Sequence, residues 1–68
     1  MTYNTTTVKV NGVNKTIKTG DAVIVNGIKY IFQWCTYQFE RWIDTSRPAF
    51  NRQINVEGGF YNVDDVLQ

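Results

Sequence analysis

One stretch constrains this chain more than any other: Gly20 to Asp44, GDAVIVNGIKYIFQWCTYQFERWID. It holds six of the ten aromatic residues (Tyr30, Phe32, Trp34, Tyr37, Phe39 and Trp42), both tryptophans and the single cysteine. It opens with apolar runs flanking Asn26-Gly27, a dipeptide suited to a type I′ turn because both central residues need positive φ. A two-residue turn there sets the register. Val25 faces Ile28, Val23 faces Tyr30 and Asp21 faces Phe32, on a face shared with Trp34. The opposite face carries Ala22, Ile24, Lys29, Ile31 and Cys35. Both faces are substantially apolar, whereas a half-exposed hairpin alternates cleanly. The hairpin is therefore either the centre of a closed small barrel or a sheet with a core on one side and an interaction surface on the other.

The other bounds follow from length and composition. A chain of 68 residues is expected to form one small domain, 1–68, which buries only roughly 60% of its unfolded surface. One cysteine excludes an intramolecular disulfide, and the lack of histidine and of any cysteine cluster argues against structural zinc. Aromatic burial has to supply the stability, at about 1.5–3 kcal/mol for each large apolar side chain. Net charge is +1. It is graded from a lysine-bearing first half to an acidic end at Glu57, Asp64 and Asp65, far from the basic balance of non-specific nucleic-acid binders. No apolar run approaches a membrane span, and MTYNTTTVKV lacks the apolar core of a signal peptide. The expectation is a cytoplasmic protein with a reduced thiol and no membrane partner.

Along the chain, Val8 to Lys18 reads as a first hairpin around Asn11-Gly12. From Thr36 to Asp44 the pattern fits both strand and helix. Ile31, Trp34, Cys35, Gln38, Phe39, Trp42 and Ile43 have helical spacing; Cys35, Tyr37, Phe39, Arg41 and Ile43 alternate. The balance leans to strand, with a short helix near 36–44 as the alternative. Asp44 to Pro48 is a loop. Residues 53–63 read as a third hairpin turning at Gly58-Gly59, with Val56 facing Tyr61 and Ile54 facing Val63. Asn62 is placed to cap a short terminal helical turn bearing Asp64 and Asp65, with Val66 or Leu67 under the sheet.

Lys18-Thr19-Gly20-Asp21-Ala22-Val23-Ile24-Val25 resembles the opening of many small SH3-like barrels, where a K-x-G-D-x-V-x-V strand follows the first loop. Gly59 to Val66 is similar to their last strand and terminal turn. The resemblance covers roughly two-fifths of the chain. It implies an all-β fold: a small SH3-like barrel or a twisted antiparallel sheet of three hairpins. It does not extend to the residues that cradle proline peptides.

No catalytic set stands out, so the chain is expected not to be an enzyme and to need no cofactor. Glu40 and Asp44 read as solvated charges beside Arg41 and Arg47, Asp64-Asp65 as a helix cap and Cys35 as an inert buried thiol. Most of the aromatics read as core. The remaining functional signal is an aromatic–arginine set, Tyr37, Arg41, Trp42, Arg47 and Arg52, in which Trp42 and Tyr37 are expected to be exposed. Tryptophan, tyrosine and arginine dominate protein interfaces. The leading expectation is a protein-binding module, an adaptor or an inhibitor of the sort phages direct at host proteins. The alternative is a single-stranded nucleic-acid-binding barrel that stacks bases on these rings. A homo-oligomer paired through the Thr-rich N-terminal strand is compatible with either.

Overall fold

The computed structural model describes residues 1–68. Both Asn-Gly dipeptides make the expected turns. β1 (Thr5–Val10) and β2 (Val13–Lys18) are joined by Asn11 and Gly12, with φ 52° and 78°. β3 (Ala22–Val25) and β4 (Ile28–Cys35) are joined by Asn26 and Gly27, with φ 53° and 80°. Positive φ at both positions is the type I′ signature, and Val10 faces Val13 as Val25 faces Ile28. β5 (Phe39–Asp44) and β6 (Gln53–Glu57) continue the meander, followed by β7 (Asn62–Val63) and β8 (Asp65–Leu67).

The strands form a five-stranded sheet, β6-β5-β4-β3-β8, and a three-stranded sheet, β2-β1-β7. All pairings are antiparallel except β1 with β7. Each sheet keeps two free edges. The chain is therefore all-β in the open-sheet form, not the closed barrel. Val8 and Ile17 of the small sheet meet Val23, Phe32, Cys35 and Trp42 of the large one, with Val63 closing the core. Reciprocal backbone bonds between Tyr3 and Cys35 (2.7 and 2.9 Å) tie the N-terminal residues to the end of β4. β1 has β2 along one side and, at Lys9 and Val10 only, β7 along the other. No helix is long and apolar enough to cross a membrane.

One open alternative is settled in favour of strand, and three local expectations are corrected. Residues 39–44 are strand, not helix: the Thr36 hydroxyl accepts from the N–H groups of Gln38 and Phe39 (both 3.2 Å), closing a tight turn that returns the chain antiparallel to β4. The third hairpin does not form, since β6 pairs only with β5 and β7 joins β1. Gly58 and Gly59 (φ 71° and 82°) instead send the chain across the sheets. There Phe60 packs 4.9 Å from Tyr30 and 5.2 Å from Trp42, and Val63 enters the core, so tertiary burial outweighs local pairing. The terminal helical turn is replaced by β8 on β3, and the Asp64 carboxylate accepts from Asn26 N–H (2.9 Å) rather than capping a helix.

The third correction concerns Trp34. Phe32 faces Trp42, but the register shifts before Trp34, which faces Arg41. Gln33 is the extra residue of a bulge, and its carbonyl accepts the Thr19 hydroxyl at 2.6 Å. One inserted residue exchanges the faces of everything beyond it, so Cys35 turns into the core and Trp34 turns out.

Candidate functional site

The inner face of the large sheet is fully committed to structure. Trp42 is 0% exposed. Its ring meets Phe32 edge-on at 5.1 Å, and its indole N–H donates to Glu40 Oε1 at 2.9 Å. Glu40 is itself buried, and its carboxylate also accepts from the Thr6 hydroxyl and from Phe60 N–H (3.4 Å). Gly59 lies against it; a Cβ there would stand 2.6–2.7 Å from the carboxylate atoms. Glu40 is therefore a polar tie between the two sheets, not a solvated charge. A buried carboxylate is tolerated only when its lone pairs are filled in this way.

Cys35 Sγ lies 3.3 Å from the Thr5 carbonyl. Burial, followed by the Glu40 carboxylate, pushes its thiol above the ordinary range, the opposite of what a nucleophile requires. Asp44 is held below the usual carboxylate range, first by the Ser46 hydroxyl (2.6 Å), with Ser46 N–H (2.9 Å) and Arg47 (3.3 Å) assisting against partial desolvation.

The outer face has no layer above it. Leu67, Ala22, Ile31 and Ile43 form an apolar row across four adjacent strands, ending at Gln53 on β6. Ile31 and Ile43 are half-buried by their strand neighbours but do not pack against the core. The adjoining row runs Trp34, Arg41, Asn55. The Arg41 guanidinium stands 5.1 Å over the Trp34 ring. Arg41 Nε donates to Asn55 Oδ1 (2.6 Å) and Nη1 to Gln53 Oε1 (3.2 Å). Phe39 meets Trp34 edge-on at 5.7 Å. Stacking plus two hydrogen bonds fixes a flexible cation over a half-buried indole, a contact worth about 0.5–1 kcal/mol.

The five residues singled out in the sequence do not form one cluster. Tyr37, 86% exposed, projects from the turn before β5, whereas Arg47 and Arg52 lie beyond its other end, roughly 20 Å of strand away. Arg47 pairs with Asp44, and Arg52 Nε donates to the Arg47 carbonyl (3.0 Å). Trp42 is corrected from contact residue to core, because it shares the inner face with Phe32. Only Arg41 lies centrally on the outer face. Trp34 and Phe39 were missed as its companions; the amide of Gln33, set within the run Ile31-Phe32-Gln33-Trp34-Cys35, was the one local hint of a bulge.

Compared with known proteins, the chain matches no family model, no curated protein and no solved structure.

Proposed function

We propose that the protein is a non-enzymatic protein-binding module, an adaptor or inhibitor, whose contact surface is the outer face of the large sheet. The observation that carries this reading is the half-buried apolar pair Ile31 and Ile43 beside a tryptophan with its arginine already held in place. Aromatic and arginine side chains are the usual interface anchors, and an arginine fixed before binding loses less entropy on association. Charge on this face is balanced: Lys29 and Arg41 stand against Glu57 and Asp65. A mixed surface of that kind suits a protein partner and argues against the phosphate backbone of a nucleic acid. The carboxylates that an acid–base mechanism would draw on, Glu40 and Asp44, are engaged in structural hydrogen bonds.

Affinity capture with immobilised wild type, a Trp34→Ala/Arg41→Ala variant and a Lys9→Ala control tests this. A protein retained by wild type and control but lost from the double variant supports the reading. Identical retention by all three overturns it. Oligonucleotides that quench Trp34 fluorescence at low salt would shift the assignment to nucleic acid.

A further inference from the structure

Four strands lie at sheet edges: β2 and β7 in the small sheet, β6 and β8 in the large one. Free edges recruit other strands unless shortness, lysine, proline or a bulge prevents it. β7 and β8 have two and three residues, and β2 carries Lys15 and Lys18. β6, QINVE, has five residues, neither lysine nor proline, and an unbroken register on β5. It is the one unguarded edge.

The backbone shows what this edge offers. Asp44 N–H donates to the Arg52 carbonyl (2.7 Å) and Gly58 N–H to the Gln38 carbonyl (3.1 Å). These bonds mark the hydrogen-bonded positions of the β5–β6 ladder, which alternate along it. Ile54 and Val56 therefore turn their backbone groups toward β5. Gln53, Asn55 and Glu57 turn theirs outward.

We propose that β6 pairs antiparallel with β6 of a second copy of this chain about a two-fold axis at Asn55. In that register every outward residue meets an outward residue. Gln53 faces the second copy's Glu57, Asn55 faces its counterpart, and six backbone hydrogen bonds close, as the alternation of an antiparallel ladder requires. The side chains agree with it. An amide donor lies opposite a carboxylate on the outer face, and Ile54 lies opposite Val56 on the inner face. Centring the axis on Glu57 would set two carboxylates face to face. Centring it on Gln53 would place Asn55 against Asn51, which belongs to the 3-10 turn at Ala49–Asn51. The strand is thus self-complementary in one register, the requirement for a closed two-fold contact. The pairing joins two outer faces into one continuous surface, and it stands whether or not that face binds a partner.

Sedimentation over a range of concentrations tests the pairing. Wild type is expected to dimerise. Asn55→Pro removes an outward N–H that β5 does not use, and is expected to give a folded monomer. Gln53→Glu sets carboxylates opposite each other twice and weakens the dimer about tenfold. Adding Glu57→Lys to that variant restores it; residues 53 and 57 of one chain lie about 13 Å apart along the strand, so the rescue acts only between copies. A wild type that stays monomeric at its highest soluble concentration overturns the proposal. So does equal dimerisation of Gln53→Glu and the double variant, a comparison that holds even if Asn55→Pro fails to fold.

Discussion

On the inner face of the five-stranded sheet Trp42 is completely covered, and its one polar atom is matched to Glu40. On the outer face Trp34, from the neighbouring strand, is half-buried beneath a guanidinium, with no second layer above it. Both belong to the same aromatic stretch, and their rings have the same transfer free energy. What separates them is one bulged residue at Gln33 and the small sheet that covers only one side. Apolar content therefore does not distinguish core from contact surface in this chain. The register of β4 does.

The largest way to break this comparison is to truncate both tryptophans separately. Trp42→Ala is expected to cost about 3–5 kcal/mol, a large part of the total stability of a small domain. Trp34→Ala is expected to cost about 1–2 kcal/mol, lost from stacking and partial burial. Urea denaturation of the two variants reads the gap directly, and equal midpoints would erase the distinction between the faces.

A smaller effect sharpens the inner face. Gly59→Ala forces a Cβ toward the Glu40 carboxylate at a positive φ of 82°, and is expected to destabilise by about 2–3 kcal/mol. Gly12→Ala has a similar φ of 78° but open space around it, so about 1 kcal/mol of backbone strain is expected there. Thermal melts of the pair separate contact from conformation. If both shift alike, Glu40 is not seated where the inner face needs it.

Titration gives the subtler tests. The Cys35 thiol is raised, so the folded state keeps its proton longer than the unfolded chain. That contribution is fully present below the thiol's ordinary pKa and is lost as pH climbs through the folded value. Cys35→Ala should flatten the alkaline side of the stability profile, and iodoacetamide should label Cys35 only as fast as the protein opens. Asp44 is lowered, so its contribution is present above the ordinary carboxyl pKa and is lost as pH falls through the folded value. Ser46→Ala removes its main cause and should make the acid transition shallower, the smallest change in the set.

Local chemistry made part of this fold readable in the sequence. Asn11-Gly12 and Asn26-Gly27 set two turns and two registers, because few other dipeptides hold positive φ twice. The two apolar faces of the second hairpin were legible for the same reason, and with them the choice between barrel and one-sided sheet. What stayed hidden depends on distant partners. Gly58-Gly59 has the composition of a hairpin turn, but Phe60 gains more from Tyr30 and Trp42 than Tyr61 would gain from Val56. Asp64 suits a helix N-terminus, yet an N–H at Asn26, far away in sequence, takes its carboxylate. Of the five residues singled out in the sequence only Arg41 lies centrally on the outer face. Trp42 was assigned the exposure that belongs to Trp34, because a period-two reading carries no mark of an inserted residue.

The two tryptophans also give the most direct test of that division. Iodide quenching of a folded Trp34→Phe variant reports Trp42 alone, and of a Trp42→Phe variant Trp34 alone. The Trp34→Phe protein is expected to show blue-shifted emission that iodide leaves unchanged, while Trp34 emission is quenched. Free quenching of Trp42 in folded Trp34→Phe protein would contradict the assignment of the two faces.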